Sequence, residues 1–99
     1  MDPTATLDIY LSARTDRDDY LDAIDNYNRW VTMGGFCARV SLNEASPSAL
    51  RHGRYGTVTN LRDGFMSVRH DRDSHVSSVT PRAIDRVLPP APTVNEPTD

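Results

Sequence analysis

The chain has 99 residues, a net charge of −3 and a single cysteine, Cys37. That length makes one small domain, which buries only roughly 60–65% of the surface its unfolded chain exposes and leaves little core to spare for a large cofactor pocket. No stretch is apolar enough to span a bilayer and no basic-then-apolar leader opens the chain; a lone cysteine forms no internal disulfide, so a reduced, cytoplasmic setting is expected.

Asp2-Pro3 reads as a helix opening, because Asp accepts from free first-turn amides and Pro fits the first helical position. Leu7, Tyr10 and Leu11 then share one face, which predicts a helix from about Pro3 to Ala13. Thr15 with Asp18 three residues on resembles a capping box. Behind it Tyr20, Leu21, Ile24, Tyr27, Asn28 and Val31 keep a helical period, while Asp18, Asp22, Asp25 and Arg29 take the opposite face. Gly34-Gly35 stops this second helix, and the short polar connection between the two makes residues 1–35 a helical hairpin.

After the glycines the period changes to two. Phe36, Ala38, Val40 and Leu42 alternate with Cys37, Arg39 and Ser41, which is a strand with one face toward a core. Residues 43–53 read as a loop with one helical turn at Pro47–Leu50. Tyr55, Thr57, Thr59 and Leu61 alternate with Gly56, Val58 and Asn60, then Arg62-Asp63-Gly64 makes a tight turn with the glycine at the position needing positive φ. Phe65, Ser67 and Arg69 then alternate with Met66, Val68 and His70, so Val58, Met66 and Val68 can share a buried face. A second turn at 71–74, a strand at 75–80, one helical turn from Pro81 and a last short strand to Val87 follow. From Leu88 the prolines and missing periodicity predict a disordered tail, 88–99.

The stretches "GTVTNLRDGFMSVRHD" and "VSSVTPRAIDRV", with Val79, Pro81, Ile84 and Val87 spaced as a one-turn helix before a final strand, resemble SH3-like barrels of the KOW and Tudor kind. The resemblance implies an α+β fold in which the helical hairpin packs on a small antiparallel β-barrel, 36–87; it implies a fold more than a function. A second resemblance lies in "YNRWVTMGGF", residues 27–36, which looks like a segment of small accessory proteins of actinobacterial phages. All eleven basic residues are Arg and twelve of the fourteen acids are Asp. Helix propensity does not require that choice, and it reads as the coding bias of a GC-rich genome.

Charge is uneven. Residues 1–38 carry three Arg against seven Asp, a net of −4, and residues 39–86 carry eight Arg against five acids, a net of +3. Arg39, Arg51, Arg54, Arg62, Arg69 and Arg72 are therefore the candidates for phosphate contact, with Tyr55 or Phe65 as a stacking partner, in an alternative reading as a nucleic-acid-binding accessory or regulatory protein. Tyr27, Trp30, Met33 and Phe36 are the candidates for a protein interface; Trp30 reads equally as an interface centre or as a plug between helices and sheet. His70, Asp71, Asp73 and His75 carry metal-ligand atoms but sit on a turn where Asp and Ser make local hydrogen bonds, so no metal is expected. Cys37 needs a His or a helix start to become a nucleophile, the acids of the second helix show no burial that would perturb them, and no phosphate loop or catalytic serine motif occurs. The expectation is a non-enzymatic small binding protein without a cofactor, engaging a protein partner, with homodimer formation favoured by the small core.

Overall fold

Asp2 starts the first helix as the sequence predicts: its carboxylate accepts the amides of Thr4 and Ala5 at 3.0 and 3.3 Å. The computed structural model describes residues 2–89, and in it this helix, α1, runs Pro3–Leu11. It ends two residues early because Ser12 turns to an extended conformation and returns its amide to Ile9. Leu7 and Tyr10 are buried, and the Tyr10 hydroxyl points at the carbonyls of Arg62 and Phe65 at 2.7 and 3.0 Å. Tyr10 also stacks on Tyr20 at 5.0 Å between ring centres.

The second helix, α2, runs Arg17–Thr32. Its cap is Asp16, which accepts the Asp19 amide at 2.8 Å, and not the expected Thr15–Asp18 pair. A carboxylate one residue later satisfies a first-turn donor with a charge the helix dipole favours. At the other end Gly34 adopts φ +86, the Gly35 amide returns to Trp30 and the Gly34 amide to Val31. That pair of bonds is a Schellman stop, and it explains why the chain needs glycine there.

The strands are β1 (Arg39–Leu42), β2 (Tyr55–Arg62), β3 (Phe65–His70), β4 (Val76–Val79) and β5 (Ile84–Val87), with a short helix α3 (Pro47–His52) between β1 and β2 and a 3-10 turn at Pro81–Ala83 before β5. All pairings are antiparallel and the order is β4-β3-β2-β1-β5. The molecule is thus α+β, but the expected barrel is not closed: β4 and β5 are the two edges of an open sheet among the described residues. Of the tail expected over 88–99, residues 90–99 lie outside those described.

One face of the sheet carries Val40, Leu42, Val58, Leu61, Met66 and Val68, all buried, and α2 packs on it. Two corrections to the strand alternation matter. Leu61 is buried although plain alternation from Val58 turns it outward, because the β2–β3 register shifts between Val58 and Asn60. One extra residue in a strand exchanges its two faces from that point on. Asn28 of α2 occupies the same place, accepting the Leu61 amide and donating to the Leu61 carbonyl, both at 2.8 Å. The second correction is Phe36, expected inward on the first strand but 86% exposed; β1 begins only at Arg39.

Arg17 ties the start of α2 to the β2–β3 turn through two hydrogen bonds to Asp63. Those bonds hold the Asp63 carboxyl below the usual carboxylate range. A lowered folded-state pKa stabilises the fold above the unfolded value, about 3.9 for Asp, and that contribution disappears as pH falls through the lowered value. Asp63→Asn is therefore expected to lower the melting temperature slightly at pH 6–7, and the difference from wild type should close as pH falls through the lowered Asp63 value. Thermal melts across pH check this; a difference that persists at the acid end would mean Asp63 acts through something other than its charge.

Candidate functional site

The C-terminal turn of α2 and the four residues beyond it build a partly apolar surface. Asp22, Asn26, Arg29 and Met33 recur at i, i+4, i+7 and i+11, so they share one helix face. Met33 is 76% exposed and Phe36 86% exposed. Trp30 is half-buried, and its indole N–H donates to the Phe36 carbonyl at 2.7 Å. The ring lies against the Gly35 backbone: a Cβ there would collide with the indole at Cε2. Asn26, Arg29, Trp30 and Met33 enclose an open hollow of about 300 Å³ beside the two exposed side chains.

Of the four interface candidates, the structure groups Trp30, Met33 and Phe36 and removes Tyr27. Tyr27 is fully buried; its hydroxyl donates to the Val58 carbonyl at 2.6 Å and accepts the Ala38 amide at 2.8 Å. Burial among apolar groups raises its pKa far above the ordinary phenol value, against the lowering effect of the Ala38 amide. Tyr27 is a pin between α2, β2 and the approach to β1. Trp30 resolves the ambiguity left by the sequence in an unforeseen way: it packs on the loop that follows its own helix and so fixes how Phe36 is presented.

Gly35→Ala tests that arrangement. The indole ring is rigid, so the new methyl must push it off the loop, and a loss of about 1–3 kcal/mol is expected, as for other overpacked sites. Trp30 is the single tryptophan, so its emission should shift to the red as the ring enters water. An unshifted spectrum would contradict the placement of the ring.

The arginine set is less available than the sequence implied. Arg39 is paired with Asp71, Arg54 with Asp85 and Glu44, and Arg72 donates to the Arg51 carbonyl. Arg51, Arg62 and Arg69 form no ion pair among the described residues and come from three different elements, α3, β2 and β3. Tyr55 and Phe65 are 49% and 40% exposed.

The three histidines converge at one end of the sheet. His70 is buried at the end of β3; its Nδ1 lies 2.9 Å from the Gly53 carbonyl, to which it can only donate, and its Nε2 lies 2.9 Å from the Ser77 hydroxyl. His52 stacks on His75 at 3.8 Å, with its Nδ1 2.7 Å from Asp73, whose carboxyl is held below the usual range by that contact. No group of three or more ligating side chains among the described residues is arranged to hold a metal ion. Asp71 pairs with Arg39, outside the cluster. His52 joins because α3 lies against the β3–β4 turn, a placement that spacing along the chain does not reveal.

Cys37 is half-buried, and burial pushes its thiol up despite the lowering pull of Arg69 and Tyr27. A thiol so disposed is a poor nucleophile. No helix among the described residues is long and apolar enough to cross a membrane. No family model, curated protein or solved structure matches the chain.

Proposed function

We propose that the chain is a small binding module, without catalytic chemistry, whose docking surface is Phe36, bonded through its carbonyl to Trp30, together with the hollow that Trp30 and Met33 form with Asn26 and Arg29. The observation that carries this reading is Phe36. A phenyl ring left 86% exposed costs solvation. This one is held out by a structured loop, pinned through the Trp30 bond to the Phe36 carbonyl. Rigid aromatic groups in such clusters are the usual centres of protein interfaces.

The partner is a protein with an apolar projection to fill the hollow and basic side chains around it. Asp18, Asp22 and Asp19 lie exposed on α2, and among the described residues only Asp25 of that helix is balanced, by Arg29. The same acids argue against a second copy as the occupant, because a two-fold contact through this face would set Asp22 against its like. If the resemblance of residues 27–36 to phage accessory proteins extends to role, the partner is a host or phage protein in the bacterial cytoplasm. The element order from β1 to β5, with a 3-10 turn before the last strand, supports an SH3-like module left open between its edges.

The test is affinity capture with the wild-type chain and with a Met33→Ser/Phe36→Ser variant, followed by light scattering on each. A partner held by the wild type and released by the folded variant supports the proposal. A partner held equally by both, or self-association that the variant abolishes, overturns it.

A further inference from the structure

A second surface is built at the free edge of the sheet. β4 is hydrogen-bonded to β3 on one side only. The His70 amide bonds to the His75 carbonyl at 2.8 Å. In an antiparallel ladder, bonding alternates, so His75, Ser77 and Val79 face β3 while the backbone groups of Val76 and Ser78 point away from it. Neither of those two residues makes another backbone hydrogen bond among the described residues, and both are exposed. Across from this edge stands α3, and the two enclose a groove of about 290 Å³ lined by Pro47, Ser48, Arg51 and His52 on one wall and by His75 to Ser78 on the other.

An edge strand with a row of free amides and carbonyls is a template for another strand. Most exposed edges are guarded by a bulge, a proline or a charge on the strand itself. β4, Val-Ser-Ser-Val, has none of these. What the groove carries is positive charge on the opposite wall: Arg51 is exposed and forms no ion pair among the described residues, and Arg72, outside the groove lining, donates to the Arg51 carbonyl. His52 and His75 add stacked imidazoles; of the two acids in the adjoining turn, Asp73 is bound to His52 and Asp71 is paired with Arg39.

We propose that the groove between α3 and β4 binds an extended acidic peptide, which adds to β4 as a sixth strand. Alternate side chains of the guest face in opposite directions. Carboxylates on one side meet Arg51 and the histidine pair, and apolar β-branched side chains on the other lie beside Val76, which is 53% exposed. A second copy of the chain pairing β4 with β4 would instead bring Arg51 and Arg72 toward their own counterparts, so the charge selects the acidic peptide. This surface uses different elements from the Trp30 patch and does not depend on it.

The probe is the hexapeptide acetyl-Glu-Val-Glu-Val-Glu-Val-amide, added to the isotopically labelled full chain and followed by amide resonances. Binding should move the Val76 and Ser78 amides and slow their exchange with solvent at least about tenfold, leaving Met33 and Phe36 unmoved. The same peptide methylated on alternate backbone nitrogens, so that the strand-facing amides are lost, should not bind. Ser78→Pro removes an outward amide at a position where an edge strand accepts proline, and it should abolish binding without unfolding the chain. Arg51→Glu should weaken binding by about tenfold or more, and an Arg-Val peptide of the same length should bind more weakly than the Glu-Val one. Absence of shifts at millimolar peptide, equal binding of the methylated peptide, or shifts centred away from β4 would each overturn the proposal.

Discussion

Tyr27→Phe is expected to lower the free energy of unfolding by roughly 2–4 kcal/mol, although it removes a single oxygen atom. The Tyr27 hydroxyl is the partner of two backbone groups, the Val58 carbonyl and the Ala38 amide, at 2.6 and 2.8 Å. Both Val58 and Ala38 are buried, at 0% and 2% exposure, so water cannot replace the lost oxygen. Each orphaned group costs about 1–3 kcal/mol, whereas a surface hydroxyl costs almost nothing. Tyr27→Ala adds a cavity of the kind that costs about 3–5 kcal/mol in other cores, a loss comparable to the roughly 5 kcal/mol at the low end of small-domain stability. Urea denaturation checks the series, with Tyr55→Phe as the control, since that hydroxyl makes no hydrogen bond among the described residues and should change stability by under about 0.5 kcal/mol. Equal midpoints for the two phenylalanine variants would mean that Tyr27 does not hold α2 to the sheet.

The second large effect is on binding alone. Met33→Ser/Phe36→Ser takes two side chains that are already mostly in water, so the melting temperature should barely move. Partner affinity should fall by about 2–4 kcal/mol, roughly thirtyfold to a thousandfold, which is the range for losing central apolar anchors of an interface. The contrast with Tyr27 is the point of doing both. Residues 27 and 36 sit in one short segment, yet one substitution should break the fold and spare no function, while the other should break function and spare the fold.

Much of the architecture was legible because its signals are local. The switch from helical to alternating period at Gly34-Gly35, the Asp2-Pro3 start and the Gly64 turn, with φ +92, depend on residues close together in the chain. The early end of α1 at Ser12, the Asp16 cap and the outward Phe36 have local causes, but the other misreadings involve long-range partners. Alternation alone turned Leu61 outward, because nothing in β2 announces that Asn28, thirty-three residues earlier, docks at the Leu61 backbone where the register shifts. Tyr27 read as interface because an aromatic at a helix end looks the same whether or not a strand carbonyl waits for its hydroxyl. His70 read as part of a turn, and its burial depends on Gly53 and Ser77 reaching it from α3 and β4. Closure of the sheet, likewise, is set by how far β4 and β5 travel apart, which no short motif encodes. Within the candidate interface, the exposure of Met33 and Phe36 follows from the Schellman stop: the chain leaves the helix at Gly34 before either side chain can turn back to the core.

The most direct test is a binding isotherm for the captured partner against the wild-type chain and the Met33→Ser/Phe36→Ser chain, with circular dichroism melts of the same two samples. Superimposable melts with an isotherm weakened thirtyfold or more are predicted. Superimposable melts with identical isotherms would place the docking surface elsewhere on the molecule.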